Sequence, residues 1–264
     1  MRRVGSPATG GPHRRWGRRR GFMSERSREG HSQEVVHQLD PQHWLSGLDL
    51  AGGIGDALAS WPALAGSDPV QATGSEQPTL ALSAGGLPSA LFDDTDDSLD
   101  YADGVVTGQT NFTFYAVAST ATLVGGKSPV HQRTGANWTV AGGAILDISN
   151  DEVGVGARGN YIAARVGATK MTVGPLFTMA GTVDISQPAE SEIVAYLNGK
   201  DDGTSQTILS NNTVAIPSGI AEVGGGADRP LGERMSELAV FHTTHTAAEV
   251  ALVSRILSWR ANRI

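Results

Sequence analysis

The chain has 264 residues, which is enough to bury a substantial core without disulfides or a structural metal. It contains no cysteine, which excludes a disulfide framework, a thiolate metal site and a cysteine nucleophile. Charged residues make up only 18% of the sequence and glycine fills 34 positions, a composition typical of short strands joined by tight turns. No apolar run approaches the roughly 20 residues that a membrane-spanning helix needs. We therefore expect a soluble, all-β protein.

The N-terminal segment differs in charge from the rest of the chain. Residues 1–30 carry a charge of +7, whereas the remaining residues carry −14. A segment rich in Gly, Pro and Arg buries too little apolar surface to offset the entropy of ordering, and no apolar stretch follows that would make it an export signal. We predict an extended basic arm and linker over residues 1–39 and a single domain over 40–264. The central arginines of the arm are Arg14, Arg15, Arg18, Arg19 and Arg20.

Three interpretations of the arm stay open. It docks on an acidic protein surface, it binds nucleic acid by neutralising phosphates, or it is a solvated tail. Met23 opens a plausible shorter protein, so the sequence alone does not separate Met1 from Met23 as the start.

From about residue 40, short apolar runs alternate with Gly, Asn, Asp and Pro. In the run at 111–120, Phe112 and Phe114 fall on one face of an extended strand, while Thr113 and Tyr115 fall on the other. This alternation, repeated at short spacing, predicts two antiparallel sheets stacked as a sandwich. The predicted strands cover residues 78–83, 111–120, 144–149, 161–166, 176–183, 191–198 and 236–242.

Two local signals indicate how the chain turns and ends. Asn198-Gly199 follows an alternating strand and supplies the positive φ angles of a type I′ hairpin turn. Thr246 and Glu249 have the spacing of a capping box, which predicts that a helix begins there. The apolar stripe of this helix should lie against the sandwich, and it comprises Val250, Val253, Ile256 and Leu257, with Trp259 near its edge.

Several segments together resemble a known family. They are HWLSGLDL (43–50), ALASWPALAG (57–66), QATGSEQPTL (71–80), LFDDTDDSL (91–99), YLNGK (196–200) and the ending GERMSELAVFHTTHTAAEVALVSRILSWR (232–260). In this order they are similar to concanavalin A-like, laminin-G-like domains, which are common in tailed-phage proteins and bacterial surface proteins. The resemblance covers residues 40–264 and implies a jelly-roll sandwich with a C-terminal α-helix. The family usually has Asp at the position of Ser46 and Gly at that of Asp94.

The acidic cluster Asp93, Asp94, Asp96 and Asp97 is the sharpest local feature of the sequence. Carboxylate oxygens are the ligands that Ca²⁺ prefers, so four of them within five residues could bind this ion. The spacing does not match an EF-hand loop, and the other interpretation is an Asp-rich turn that binds its own backbone N–H groups. Calcium is the one cofactor that the sequence suggests.

Catalysis is not expected. Glycoside hydrolysis needs two carboxyl groups about 5–9 Å apart, and sandwich hydrolases take theirs from a Glu-x-Asp-x-x-Glu run or a close variant, which this chain lacks. His242 and His245 have an H-x-x-H spacing, but no third ligand stands near them in the sequence, so we interpret them as exposed turn histidines. The GGG run at 224–226 is interpreted as a loop before the final strand.

Sugar binding without catalysis needs aromatic rings and a few fixed polar groups. Trp138 and Tyr161 are the candidate ligand-binding residues, although core packing is the competing interpretation for Trp138 because tryptophan is usually buried. Trp44 and Trp61 match family positions that pack in the core or at its rim.

These observations predict a non-catalytic structural protein of a tailed phage or phage-like particle, in a head fibre, spike or tail. The arm would anchor it to other virion proteins of the acidic capsid or tail, and it would be assembled in the bacterial cytoplasm. Several copies would form a homo-oligomer whose loops face host surface polysaccharide or another fibre subunit. The alternatives are a polysaccharide-degrading enzyme and a free carbohydrate-binding module.

Overall fold

The computed structural model describes residues 25–83, 85–122, 125–134, 141–149, 151–160, 162–204, 206–208, 212, 214–226 and 229–262. These residues form two sheets packed face to face, and all the strand pairings described within the sheets are antiparallel. The longest of the described helices is at the C-terminal end. The predicted all-β sandwich closed by a terminal helix is confirmed. None of the described helices has the length and apolar character to cross a membrane.

The elements in chain order are α1 (Glu25–His37), β1 (His43–Ser46), β2 (Ala63–Ala65), β3 (Thr79–Leu82), β4 (Pro88–Leu91), β5 (Leu99–Tyr101), β6 (Asn111–Ala118), β7 (Lys127–Arg133), β8 (Ala144–Ser149), β9 (Glu152–Arg158), β10 (Ile162–Val166), β11 (Phe177–Asp184), α2 (Ala189–Glu192), β12 (Ile193–Leu197), β13 (Lys200–Asp201), β14 (Gln206–Ile208), β15 (Ile220–Val223), β16 (Arg234–Phe241) and α3 (Ala247–Asn262). The nine-stranded sheet has the order β13-β12-β11-β6-β16-β1-β2, and β4 pairs with both β16 and β3. The seven-stranded sheet has the order β14-β10-β9-β8-β7-β15-β5.

Both faces of strand β6 carry apolar side chains, because both faces are buried. Phe112 and Phe114 are buried in the main core between the two sheets. Tyr115 and Val117 point the other way and are buried in a second apolar cluster, which includes Val253 of α3. The nine-stranded sheet is therefore covered on both faces, by the seven-stranded sheet on one side and by helix α3 on the other.

The start of α3 confirms the predicted capping box. The backbone N–H of Glu249 donates to Oγ1 of Thr246 at 3.3 Å, and the backbone N–H of Thr246 donates to Oε2 of Glu249 at 2.8 Å. Val250, Val253 and Leu257 of the predicted stripe are fully buried in the second cluster. Helix α3 is thus fixed at its first turn and along its apolar face.

The predicted hairpin turn is also confirmed. Asn198 and Gly199 have φ angles of 52° and 76°, as a type I′ turn requires, and Leu197 pairs with Lys200 across the turn. A Cβ at position 199 would lie 3.1 Å from Cα of Ala251, so the tip of the hairpin lies directly against α3.

A buried polar network joins α3 to the nine-stranded sheet. Glu237 accepts hydrogen bonds from Nε1 of Trp44 at 3.0 Å, from Oγ of Ser46 at 2.8 Å and from Nε of Arg260 at 3.2 Å. The Arg260 side chain is fully buried, and its guanidinium lies 5.0 Å from the ring centroid of Trp44. Burial raises the pKa of Glu237 to about 7, while the charge of Arg260 and these hydrogen bonds oppose that rise.

The segment predicted as an arm divides into two parts. Residues 1–24, which include Arg14, Arg15, Arg18, Arg19 and Arg20, lie outside the described residues, so the extended arm stays a prediction there. Residues 25–37, placed in the same segment, form helix α1 instead. Val36 is fully buried in the second cluster, and the His37 ring meets Trp44 at a centroid distance of 5.1 Å. These tertiary contacts account for order that composition alone does not predict.

Candidate ligand-binding site

The predicted calcium cluster comes together only in part. Carboxylate oxygens of Asp93, Asp96 and Asp97 lie within 4.8 Å of one another. However, Oδ1 of Asp93 accepts the backbone N–H of Thr95 at 2.9 Å, and Oδ2 of Asp97 accepts that of Asp93 at 2.9 Å. Burial, and then the charge of Asp93, raises the pKa of Asp97 to about 6. The hydrogen bonds are those of an Asp-rich turn, and calcium binding stays a prediction.

Asp94 does not join this cluster. It has a φ of 68°, in the left-handed region where glycine is favoured, and the family that the sequence resembles usually has Gly at this position. Its carboxylate forms an ion pair with Lys127, which is buried at the start of β7. Asp94 therefore acts as a link between the turn and the seven-stranded sheet.

The two histidines before α3 have structural roles. Nδ1 of His245 lies 2.7 Å from the hydroxyl of Tyr115, and Nε2 of His242 lies 2.8 Å from the backbone oxygen of Val105. His245 is buried and His242 half-buried, so the prediction that both are exposed is wrong. Burial lowers the pKa of His245, which favours its neutral form.

The aromatic candidates fall in different places. Trp138 and Tyr161 lie outside the described residues, so their predicted ligand contacts stay predictions. Trp44 and Trp61 are fully buried, and their indole N–H groups donate to Glu237 and to the backbone oxygen of Ser46, respectively. Neither offers a ring face to a ligand.

A trough runs along the outer face of the seven-stranded sheet, which is the face turned away from the main core. In β8, Ala144, Leu146 and Ile148 point into the core, so Ile145, Asp147 and Ser149 point outward. On the neighbouring strand β9 the outward positions opposite Asp147 and Ile145 are Gly154 and Gly156. Because these glycines carry no side chain, a depression forms between β8 and β10. Its volume is about 210 Å³, and its described lining is Ile145, Asp147, Ser149, Gly154, Val155, Ala164, Arg165, Val166, Thr207 and Arg229.

An ion pair with a buried carboxylate lies at one wall of the trough. Asp147, which is 5% exposed, pairs with NH1 of Arg229. Gly154 leaves room for this carboxylate, because a Cβ at position 154 would overlap with Oδ1 of Asp147. Burial raises the pKa of Asp147 to about 6, against the opposing charges of Arg229 and His131. The trough thus combines an apolar wall with a charged, partly desolvated pair.

The glycine run at 224–226 positions Arg229. Gly224, Gly225 and Gly226 all have positive φ, between 50° and 87°, as a tight loop before the last strand requires. The backbone N–H of Arg229 donates to the oxygen of Gly225 at 3.2 Å, and the oxygen of Arg229 accepts from the N–H of Ser128 at 3.0 Å. The predicted loop is confirmed, and it holds the backbone of Arg229 beside β7.

A second charged group lies on the same outer face. Glu222 of β15 accepts a hydrogen bond from Nε of Arg133 at 3.2 Å, and its Oε2 lies 2.7 Å from Nε2 of His131. Burial acts to raise the pKa of Glu222, but the hydrogen bonds from His131 and Arg133 outweigh it and the pKa lies below its ordinary value. His131 is the outward neighbour of Ile145 in the register of β7 and β8. The polar groups on this face therefore continue beyond the trough.

Comparison with solved structures identifies the architecture. The binding domain of botulinum neurotoxin serotype D superposes with a TM-score of 0.55 at 10% identity, over 84% of this chain and 52% of that one. A Trypanosoma rangeli sialidase in complex with sialic acid superposes with a TM-score of 0.54 at 11% identity, over 83% of this chain and 33% of that one. The fold is the concanavalin A-like jelly roll. The chain spans about half the length of the neurotoxin domain and a third of that of the sialidase.

A smaller domain superposes on part of the chain. A CBM40 of a Ruminococcus gnavus sialidase, bound to α2,3 sialyllactose, has a TM-score of 0.46 at 16% identity, over 56% of this chain and 83% of that one. No family model matches the chain, and no curated protein matches its sequence. The evidence for the jelly roll therefore comes from three-dimensional structure.

Proposed function

We propose that this jelly-roll domain is a non-catalytic carbohydrate-binding module and that the trough on the seven-stranded sheet receives the sugar. The observation that carries the proposal is the pairing of an apolar wall with the Asp147–Arg229 ion pair in one depression. A sugar ring presents both an apolar face and hydroxyl groups that donate and accept hydrogen bonds, so it suits such a lining. The fold is shared with a sialidase that was solved with sialic acid, which is compatible with the proposal.

The absence of catalysis is part of the proposal. Glycosidases need two carboxyl groups facing each other across the scissile bond. Asp147 is the one carboxylate among the described residues that line the trough, and its charge is engaged by Arg229. A single paired carboxylate supports binding rather than hydrolysis.

Two variants test the site on a glycan array followed by titration of the best ligand. Ala164 is half-buried at the wall of the trough, so Ala164→Leu should fill it and weaken binding about tenfold or more, with little loss of stability. Arg229→Gln should weaken binding about tenfold, because hydrogen bonds to charged groups are the stronger ones.

The controls for this experiment carry the same chemical changes elsewhere. Ala248→Leu adds the same side chain at an exposed position of α3. Arg234→Gln removes an arginine that, like Arg229, is partly exposed and paired with a carboxylate. Equal affinity in Ala164→Leu and Ala248→Leu would show that the sugar binds elsewhere.

We also propose that the module works on a tailed-phage or phage-like particle, as a head fibre, spike or tail component anchored by residues 1–24. The support is the sequence resemblance over residues 40–264 and the charge contrast between an arginine-rich N-terminal segment and an acidic remainder. Opposite charge favours docking of such a segment on an acidic protein surface. Several copies on one particle would raise avidity for weakly bound glycans.

Particle association can be measured directly. Changing the five central arginines of residues 1–24 to glutamine should remove the protein from purified particles while the unfolding temperature stays the same. Mass spectrometry of the particles reports incorporation, with an unaltered chain as the reference. Full incorporation of the altered chain would contradict the anchoring role. Absence of both chains from the particles would contradict the proposal that the protein is a particle component.

A further inference from the structure

A second groove lies on the opposite side of the sandwich, between helix α3 and the hairpin of β12 and β13. Its volume is about 550 Å³, within the range of about 300–1,000 Å³ that is usual for small-molecule sites. The hairpin forms one wall, because Asn198 and Gly199 hold the turn close to Ala251 of α3. We call this space the helix groove, and its described lining is Thr178, Asn198, Gly199, Lys200, Ala251, Ser254, Arg255, Ser258, Trp259 and Asn262.

The charge of the helix groove is positive. Lys200 and Arg255 both line it and are exposed, and neither forms an ion pair with another described residue. The described lining contains no carboxylate. The whole chain, by contrast, has a net charge of −7. The helix groove therefore favours a ligand that carries a negative charge.

Two buried hydroxyl groups in the helix groove lack partners. Oγ1 of Thr178 and Oγ of Ser254 form no hydrogen bond with any described residue, although each residue is only 2% exposed. A buried hydroxyl without a partner carries a free-energy cost, so such groups are usually satisfied by water or by a ligand. Both residues line the same groove, on β11 and on α3. They are independent evidence for a polar ligand at this place.

The third feature of the helix groove is an aromatic ring. Trp259 lines the helix groove in a half-buried position, next to the partly buried Ile256. An indole ring offers an apolar face to the C–H face of a sugar. A cationic pair, unpartnered hydroxyls and an indole together match a ligand with a carboxylate, several hydroxyls and an apolar face.

We propose that the helix groove is a second binding site, specific for a hexuronic acid unit of an acidic polysaccharide. Arg255 and Lys200 bind the carboxylate, Ser254 and Thr178 bind ring hydroxyls, and the ring packs on Trp259. This site is separate from the trough, on the other sheet, and does not depend on sugar binding there. Two sites on opposite sides of one module would let it cross-link or grip an extended chain.

The test uses sodium glucuronate as the probe, titrated into the full chain by isothermal calorimetry or ligand-observed NMR. Ser254→Ala should weaken glucuronate binding about fivefold while thermal stability is unchanged or slightly raised, because the hydroxyl it removes has no partner in the unliganded protein. Arg255→Gln should weaken binding about tenfold. Arg234→Gln, which removes an arginine outside the groove, should leave it unchanged.

Specificity is tested with two further probes. Glucose lacks the carboxylate and should bind at least tenfold more weakly than glucuronate, and inorganic phosphate should bind weakly and equally to the parent chain and Ser254→Ala. The proposal is overturned if glucuronate fails to saturate the chain, if Ser254→Ala binds it as well as the parent chain, or if phosphate binds as tightly as glucuronate. In the last case the helix groove is a positively charged surface that binds anions without selecting a sugar.

Discussion

Replacing Arg260 with methionine is expected to lower the free energy of unfolding by about 3–5 kcal/mol at pH 8, because it leaves the carboxylate of Glu237 buried without its cation. The pH dependence has a defined sign. The pKa of Glu237 is raised from 4.5 to about 7 in the folded chain, so its contribution to stability is complete below pH 4.5 and is lost as the pH rises through 7. Without Arg260 this pKa rises further, and the loss continues above pH 7. The deficit of the variant, measured by urea unfolding, should therefore be larger at pH 8 than at pH 5.

The double variant Glu237→Gln with Arg260→Met provides the control. Replacing both charged partners removes the uncompensated buried charge, so the double variant should recover most of the stability that the single variant loses at pH 8. Its stability should also vary less between pH 5 and pH 8. If the single and double variants are equally unstable at both pH values, the network is not electrostatically coupled and this account of α3 is wrong.

Gly225→Ala is expected to have the second largest effect, on stability and on binding together. Alanine at a φ of 83° costs about 1–2 kcal/mol, and its Cβ would overlap with the backbone oxygen of Arg229, which adds about 1–3 kcal/mol. The overlap forces the loop away from β7 and moves Arg229 from Asp147. We therefore expect a total loss of about 2–5 kcal/mol in urea unfolding and a glycan affinity at least tenfold weaker.

Gly108→Ala is the matched control for this substitution. Gly108 has a similar φ of 77°, but a Cβ there would meet no atom within 4 Å. It should lose only the backbone contribution of about 1–2 kcal/mol and keep full glycan affinity. Equal losses of stability in the two variants would show that the overlap between the new Cβ and the backbone oxygen of Arg229 does not affect the free energy of unfolding.

Features that are determined by a few adjacent residues could be predicted from the sequence. The alternation in β6, the Asn198-Gly199 turn and the capping box of Thr246 and Glu249 each depend on local geometry, and each is confirmed. Helix α1 could not be predicted, because it is held by the distant contacts of Val36 rather than by its own composition.

Strands β7 and β9 were missed for a related reason. Strand β9 has glycine at two outward positions, which lowers its strand propensity, and its valines at 153 and 155 make only a short pattern. A Val-Gly-Val-Gly alternation of this kind is the signal that could have indicated a strand beneath a depression. Strand β7 carries polar residues such as His131, which is buried and lies beside Glu222 of β15.

The trough could not be predicted from the sequence. Asp147 and Arg229 are 82 residues apart, and each appears isolated until the sheet and the glycine loop bring them together. The acidic cluster at 93–97 is visible in the sequence because its residues are adjacent, yet its carboxylate oxygens accept hydrogen bonds from the backbone of its own turn. The candidate site is assembled from residues that are distant in sequence, whereas the acidic cluster is local.

The most direct test of the carbohydrate-binding account is to map where the best glycan from the array binds, using backbone amide chemical shifts of the isotope-labelled chain. If the trough binds the glycan, the amides of Ile145, Asp147, Gly154 and Ala164 shift in proportion to occupancy, and Ala164→Leu needs at least tenfold more glycan to reach the same occupancy. Saturation with glycan while the amides of β8, β9 and β10 do not shift would contradict it.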